Sequence, residues 1–191
     1  MNESKHAHKL LDGLKGIEVG GGAHNAFGLN TVNVDYTDAM TGYKEWEVNA
    51  IGEFMPVDIV AWAWSIPVPD KSYDFVISSH VIEHIWDPIE ALQEWCRIAR
   101  KWIYIICPHR DATPQDAAKE LTTLEEIIYR HANSVNQEEE LGHVSRWTPD
   151  DFVIMCQHFG FHVHDMLPVD DKVGNGFTVV IDVEKSVKWE R

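Results

Sequence analysis

The chain has 191 residues, of which 45% are hydrophobic, and this is enough for one domain with a buried core. It carries 31 acidic and 16 basic residues, a formal net charge of −15. This surplus disfavours nucleic acid or an anionic membrane as partner, because both are bound through Lys and Arg, and favours a neutral or cationic small molecule. With three cysteines at no metal-ligand spacing, no signal peptide and no membrane-length apolar run, we expect a reduced, cytoplasmic protein.

Short apolar runs alternate with helical patterns along the chain. Residues 1–14 are polar and predict a loose lead-in or a short helix. The predicted strands lie at 17–19, 31–34, 57–60, 74–78, 102–107, 161–166 and 177–183. The turn Gly174-Asn175-Gly176 joins the last two strands and indicates an antiparallel pair.

Three helices are predicted from their apolar spacing and their capping residues. They cover 88 to about 100, 121 to about 131, and 149–159. Asp87-Pro88 and Thr148-Pro149 each combine an N-cap with a proline at the first helical position, and Thr122 or Thr123 caps the middle helix. Strands that alternate with helices predict an α/β fold: an open mixed sheet, mostly parallel with an antiparallel C-terminal strand and helices on both faces. Its ligand crevice is expected at the carboxyl ends of the strands.

Glycines follow the first predicted strand and an aspartate ends the second. Gly20, Gly21 and Gly22 let the backbone turn sharply and let a ligand approach closely. Asp35 can accept hydrogen bonds from both hydroxyls of a ribose. Together these residues indicate a ligand that contains a nucleoside.

The segment after the glycines is too short for a dinucleotide site. Asn25 stands where the last glycine of G-x-G-x-x-G belongs, and only the eight residues 23–30 precede the second strand. A helix that could hold a pyrophosphate is therefore stunted, and a ligand without phosphates fits better. S-adenosylmethionine is the obvious one: its amino-acid end can meet the glycine loop, with Glu18 orienting the ammonium group.

A longer motif carries a family resemblance. Residues 66–76 read I-P-V-P-D-K-S-Y-D-F-V, and residues 81–84 read V-I-E-H. With the glycine loop and T-V-N-V-D at 31–35, this resembles class I S-adenosylmethionine-dependent methyltransferases, whose pattern is L-P-F-x-D-x-S-F-D-x-V followed by L-E-H. The resemblance covers about residues 15–110. The short N-V-D form of the second strand is most similar to a compact, type 11-like subgroup associated with sugar and polysaccharide pathways.

The resemblance implies a Rossmann-like fold in one domain, 1–191, and a role for each matching residue. The glycines would face the methionine part of the cofactor, Asp35 the ribose, and Tyr36 the adenine. Ser79 and His80 would lie near the sulfonium. The predicted cofactor-binding residues are Glu18, Gly20, Gly21, Gly22, Asp35, Tyr36, Ala63, Trp64, Ser79 and His80.

Two positions depart from the family pattern and keep alternatives open. His24 replaces the third glycine of G-x-G-x-G, and Trp62 replaces an acidic residue that often contacts adenine. Trp62 or Trp64 stacking on adenine is one interpretation of the second departure. A non-catalytic nucleoside-binding or assembly module on the same fold is an alternative function. A nicotinamide-dependent reductase is another, which the stunted first helix disfavours.

The expected reaction is methyl transfer to a small-molecule acceptor, such as a hydroxyl of a sugar or a related metabolite. A hydroxyl needs a general base, and His80, His109 and His143 are the candidate catalytic residues. His84 is expected to be structural. Residues 111–146 are expected to form a lid and acceptor wall.

The sequence was also searched for metal ligands and for signs of self-association. A divalent-metal site from His109, His143 and the carboxylates around Glu125 is conceivable, but no metal-typical His or Cys pair supports it, and we expect no metal. An exposed aromatic residue near the C-terminus, Trp189, is compatible with a homodimer.

Overall fold

A seven-stranded sheet runs through the computed structural model, which describes residues 4–133 and 142–188. The strands are β1 (Gly16–Val19), β2 (Thr31–Asp35), β3 (Ile59–Val60), β4 (Tyr73–Ser79), β5 (Ala99–Pro108), β6 (His162–Leu167) and β7 (Gly176–Asp182). Their order across the sheet is β3-β2-β1-β4-β5-β7-β6. All neighbours pair in parallel except β7, which runs antiparallel to both β5 and β6. The predicted mixed sheet with an antiparallel C-terminal strand is therefore confirmed.

The central strands are apolar because both of their faces are covered. Residues 103–107 of β5 and all of β7 are buried, as expected for strands that lie between two layers of helices. At the sheet edges, β6 is largely exposed and β3 has only two residues. Short edges of this kind limit pairing with other chains.

The helices of the described residues are α1 (Lys5–Leu11), α2 (Gly42–Ile51), α3 (Pro88–Ile98), α4 (Pro114–Ala117), α5 (Leu124–Asn133) and α6 (Pro149–His158). The predicted caps of α3 and α6 are confirmed. Asp87 Oδ1 accepts the N–H groups of Ile89 and Glu90 at 3.0 and 3.3 Å. Thr148 and Asp151 form a reciprocal capping box.

Two helix predictions need correction, and helix α2 was missed. The prediction that the middle helix begins at 121 is wrong, because the Thr122 N–H bonds to the Arg146 carbonyl and the Thr123 hydroxyl caps α5 instead. Helix α3 ends at Ile98 rather than about 100, because Ala99 already enters β5. Helix α2 was not predicted. Its large apolar residues are exposed and its charged Lys44 and Glu47 are buried, so its sequence lacks the usual apolar stripe.

Helices cover both faces of the sheet. Residues of α3, α5 and α6 share one apolar cluster with β1, β4 and β5. On the opposite face, Ala7 and Leu11 of α1 pack with Phe75, Ile77 and Tyr104. No helix among the described residues combines the length and the apolar character needed to cross a membrane. Trp189, on which the dimer prediction depends, and part of the expected lid lie outside the described residues.

Candidate cofactor and active site

A cavity of about 600 Å³ opens where the parallel strands β1, β2 and β4 end. Its volume lies in the range of small-molecule sites. All ten sequence-predicted cofactor residues line it, and the cavity is called the cofactor cavity below. The topology explains this convergence, because the carboxyl ends of adjacent parallel strands meet at one edge of the sheet.

The glycine loop forms one wall of the cofactor cavity and is closely packed from behind. Gly20 adopts a left-handed conformation with φ of 67°, which side-chain-bearing residues adopt at a cost. A Cβ on Gly21 would lie 2.6 Å from the Met55 sulfur and 2.7 Å from Asn33 Oδ1. A side chain at Gly21 would therefore have to displace the ends of these two side chains, whereas glycine lets the backbone itself line the cavity.

We expect Gly21→Ala to destabilise the protein, because the new methyl group displaces packed side chains. Overpacking of this kind costs about 1–3 kcal/mol, which corresponds to a fall in Tm of about 2–10 °C for a domain of this size. Differential scanning calorimetry measures it. Gly42→Ala is the matched control, since nothing lies within 4 Å of its added Cβ. Equal Tm values for the two variants would contradict the packing of the loop.

The charge lining the cofactor cavity is mainly negative. Glu18, Asp35 and Glu47 contribute carboxylates, whereas Lys44 is the only Lys or Arg among the described lining residues. The Lys44 ammonium is held by the carbonyls of Thr37 and Ala39. A diphosphate would face these carboxylates, so the lining favours a ligand that carries positive charge.

Glu18 is the carboxylate beneath the glycine loop. It is buried, and its desolvation raises its pKa to about 7, although the Thr31 hydroxyl donates a hydrogen bond to Oε2 at 3.2 Å. A carboxyl group with such a pKa is ready to ionise when a cation arrives beside it.

His24 departs from the glycine pattern, and its side chain is held by α2. Its Nδ1 lies 2.5 Å from Glu47 Oε1, which also accepts the His24 N–H at 3.1 Å. The Tyr43 hydroxyl lies 3.0 Å from Nε2. The sequence interpretation missed Glu47 and Tyr43, because α2 itself gave no periodic signal.

Three aromatic rings stack at the end of β2. Tyr36 lies 5.3 Å from Trp62, and Trp62 lies 5.0 Å from Trp64, with interplanar angles of 16° and 18°. The Trp95 indole N–H donates to the Ala63 carbonyl at 2.8 Å and so fixes this segment from the core. The result is an aromatic stack, and an outer ring face of such a stack is a surface that a nucleobase can pack against.

His80 lies at the end of β4 with an unusual backbone. Its φ is 57°, a conformation that is strained for a residue with a side chain. Its Nε2 donates to Asn175 Oδ1 at 3.1 Å, so Nδ1 is free of a proton and accepts from the Ser79 hydroxyl at 3.1 Å. Burial lowers the pKa of His80 and keeps the ring neutral at pH 7. The role of Asn175, in the turn before β7, was missed from the sequence.

The other two candidate bases differ in position. His109 Nε2 donates to the Pro168 carbonyl at 2.7 Å, its ring packs on Phe177, and it is not among the residues lining the cofactor cavity. His143 does line the cavity, and its Nδ1 donates to Asp116 Oδ2 at 2.7 Å. The structure therefore brings His80 and His143 to one site and leaves His109 apart from it.

His84, expected to be structural, also lines the cofactor cavity. It lies in a 3₁₀ turn, Ile82–His84, beside the fully buried Glu83. Desolvation raises the pKa of Glu83 to about 8, and desolvation together with neighbouring His143 lowers the pKa of His84 to about 4. The His84 and His143 rings meet edge to face at 4.8 Å. In the sequence, the adjacent Glu83 and His84 of the V-I-E-H motif were the one feature that could have indicated this cluster of ionisable side chains.

Comparison with known proteins identifies the family. The family model described as "Methyltransferase domain" matches residues 5–165. The chain belongs to this methyltransferase family. Membership implies S-adenosylmethionine as the cofactor.

The proteins compared below share only limited sequence identity or limited length with this chain. Ajmaline N-methyltransferase of Rauvolfia serpentina is 35% identical over 75 residues, which make up 38% of this chain and 25% of that enzyme. A SAM-dependent methyltransferase from Aquifex aeolicus has a TM-score of 0.55 at 18% identity, covering 91% of this chain and 84% of that one. Another from Methanosarcina mazei has a TM-score of 0.58 at 14% identity, covering 95% and 98%. At these identities the two structures show a shared fold.

The residues of this methyltransferase fit S-adenosylmethionine in charge and shape. The cofactor carries an ammonium and a sulfonium group, and three carboxylates against one lysine line the cavity. The backbone of the glycine loop lines the cavity, and the aromatic stack of Tyr36, Trp62 and Trp64 offers a ring face for adenine.

Proposed function

We propose that this chain transfers a methyl group from S-adenosylmethionine to a small-molecule acceptor. The observation that carries the proposal is the cofactor cavity, in which ten predicted cofactor residues meet, the neutral His80 among them. The relative named for N-methylation of ajmaline supports a small molecule as the class of acceptor. A hydroxyl of a sugar or a related metabolite is our specific choice of acceptor, because His80 supplies a base for it.

The cofactor residues take distinct roles in this proposal. Glu18 faces the ammonium group, and the backbone of Gly20, Gly21 and Gly22 faces the methionine chain. Asp35 accepts the ribose hydroxyls, because neither of its oxygens is saturated: the Thr37 N–H lies at 3.4 Å and the Lys44 ammonium at 3.7 Å. The adenine packs beside the remaining predicted residues, Tyr36, Ala63 and Trp64.

The chemistry that S-adenosylmethionine supplies is a methyl group activated by a cationic sulfur. The protein positions the acceptor and excludes water, which is the main contribution an enzyme makes to such a displacement. His80 would accept the proton of the acceptor hydroxyl as the methyl group passes from the sulfur to the oxygen, with S-adenosylhomocysteine as the second product. Ser79, whose hydroxyl contacts His80 Nδ1, lies on the path of that proton.

Two alternative functions, a nicotinamide-dependent reductase and a non-catalytic module, make different predictions from a methyltransferase. A nicotinamide-dependent reductase would place a diphosphate among three carboxylates, which repel it. A non-catalytic module would keep cofactor binding and lose transfer. Measurement of S-adenosylhomocysteine release therefore separates the enzyme from the module.

We expect the affinity for S-adenosylmethionine to rise with pH, because Glu18 must ionise to pair with the ammonium group. The raised pKa of about 7 leaves Glu18 mostly protonated at pH 6. Kd should fall about eightfold between pH 6 and 7.5 if only the ionised form binds tightly. Calorimetric titration across this range measures it, and Glu18→Gln should show a flat profile. A wild-type profile as flat as that of Glu18→Gln would remove Glu18 from the site.

Fractionated cell extract tests the class of acceptor. Protein and S-adenosylmethionine are incubated with either the low-molecular-weight filtrate or the retained macromolecules, and S-adenosylhomocysteine is quantified by mass spectrometry. The proposal predicts release with the filtrate and loss of that release in Asp35→Ala. Release confined to the retained fraction, or no release in either while the cofactor binds, contradicts it.

A further inference from the structure

Three electron-pair donors converge beside the cofactor cavity, which two of them line. They belong to Glu83, His84 and His143, called the Glu83 cluster below, and their donor atoms all lie within 4.8 Å of one another. Glu83 Oε1 is 3.6 Å from His84 Nε2 and 3.7 Å from His143 Nε2. These distances are too long for hydrogen bonds.

Glu83 is the unusual member of the cluster. Its side chain is fully buried, and neither carboxylate oxygen has a hydrogen-bond partner among the residues that the structure describes. Buried carboxylates are ordinarily paired, hydrogen-bonded or bound to a metal, since desolvation without compensation is costly. The main chain holds Glu83 in place, because its carbonyl accepts the N–H groups of Val144 and Ser145 at 2.9 and 3.1 Å.

Both histidines are oriented through their other nitrogen. His84 Nδ1 donates to the Gly142 carbonyl at 3.1 Å, and His143 Nδ1 donates to Asp116 Oδ2 at 2.7 Å. With Nδ1 as the donor, the neutral form of each ring directs an unprotonated Nε2 atom toward Glu83. A carboxylate or carbonyl on the far nitrogen is the usual support of a metal-binding histidine. Asp116 is itself held by the Thr113 hydroxyl at 2.7 Å.

We propose that Glu83, His84 and His143 bind one divalent transition-metal ion, with Asp116 as a positioning residue. Two imidazole nitrogens and one carboxylate suit zinc, iron or cobalt and leave coordination positions open. Ligands on one tetrahedral zinc ion lie about 3.3 Å apart, so closure of the cluster onto an ion needs small side-chain movements. This site differs from the sequence expectation of no metal, and also from the set of His109, His143 and acids near Glu125 considered there.

The location suggests what the ion does. His84 and His143 line the cavity that also holds His80 and the predicted cofactor residues. An ion there would bind the acceptor oxygen as a Lewis acid and ease loss of its proton to His80. This role rests on the proposed function, whereas ion binding itself does not.

The experiment uses metal alone, added to chelator-treated full-length protein without S-adenosylmethionine. Calorimetry with Zn²⁺ and visible absorption with Co²⁺ should each report one ion per chain. Glu83→Gln and His143→Asn should each weaken binding about 100-fold or more, and Asp116→Asn about 10–100-fold. His131→Asn is the matched control, because His131 Nδ1 also contacts a buried carboxylate, that of Asp87, at 2.9 Å, but lies outside the cluster.

A second measurement uses only the wild-type protein, so its result does not depend on whether the variants fold. Proton NMR of the Co²⁺ protein should show two exchangeable, paramagnetically shifted imidazole N–H signals, one each from His84 and His143. No metal binding by the wild-type protein, a different number of such signals, or unchanged binding in both Glu83→Gln and His143→Asn overturns the proposal. Metal binding without cofactor binding would refute the methyltransferase function alone. Cofactor binding without metal binding would refute the metal site alone.

Discussion

Asp35→Ala is expected to weaken S-adenosylmethionine binding about 100-fold or more. Each hydrogen bond from a ribose hydroxyl to a carboxylate contributes about 1.5–3 kcal/mol, and losing two of them raises Kd by at least about 150-fold. Asp35 is poised for this role, since it ends β2 at the cofactor cavity and its side chain retains 16% exposure. Calorimetric titration of the purified variant measures the loss.

Two further variants make the Asp35 result specific. Asp38→Ala removes an exposed carboxylate from the same loop and should leave Kd unchanged. Asp35→Asn keeps an acceptor for the Thr37 N–H, and should bind with intermediate affinity. If Asp35→Ala folds normally and binds as tightly as Asp38→Ala, the ribose assignment fails.

Asp170→Ala should produce the largest loss of stability among the variants considered. The Asp170 carboxylate accepts four backbone N–H groups, from Lys172, Val173, Gly174 and Gly176, at 2.6–3.0 Å. Without the carboxylate, four backbone N–H groups lose their acceptor and must be hydrated. We expect the free energy of unfolding to fall by about 3–5 kcal/mol after the turn relaxes. A fall in Tm of about 10 °C follows for a domain of this size. Scanning calorimetry measures it, with the exposed Asp111→Ala as the control.

The same turn carries Asn175, which accepts the His80 Nε2 proton. We therefore expect Asp170→Ala to impair methyl transfer more than cofactor binding, since His80 loses its orientation while the glycine loop and Asp35 remain. An Asp170→Ala protein as stable as Asp111→Ala would contradict this account of the turn.

The pH dependence of stability follows from the same contacts. Burial alone raises the pKa of Asp170, but the backbone donors outweigh it and hold the pKa below the usual value of 3.8. A depressed pKa in the folded state stabilises the fold above the unfolded value, and this contribution is lost as the pH falls below about 4. The difference in free energy of unfolding between wild type and Asp170→Ala should therefore shrink at pH 3.

The fold could be predicted from the sequence where the spacing of apolar residues and the capping residues indicate the same element. The apolar run at 102–107 became the buried part of β5, and Asp87 and Thr148 begin helices as expected. The strand-end rule then brought Gly20 and Asp35 to one cavity, because Gly20 follows β1 and Asp35 ends the neighbouring parallel strand β2.

Site residues that only tertiary contacts bring together could not be predicted from the sequence. Helix α2 buries Lys44 and Glu47 while its aromatic side chains face outward, so no periodic pattern revealed it. The pairing of His143 with Asp116, and the approach of His143 to the buried Glu83, join three segments that only the fold brings together. For His109 the sequence predicted a place in the ligand crevice, because this residue follows β5. In the structure its ring donates to the Pro168 carbonyl instead.

The most direct test of the central claim is isothermal titration of the wild-type protein with S-adenosylmethionine and S-adenosylhomocysteine, with NADH as the comparison ligand. The proposed site predicts micromolar binding of the first two and no binding of NADH. Absence of binding by both S-adenosyl compounds, or binding of NADH in their place, would contradict it.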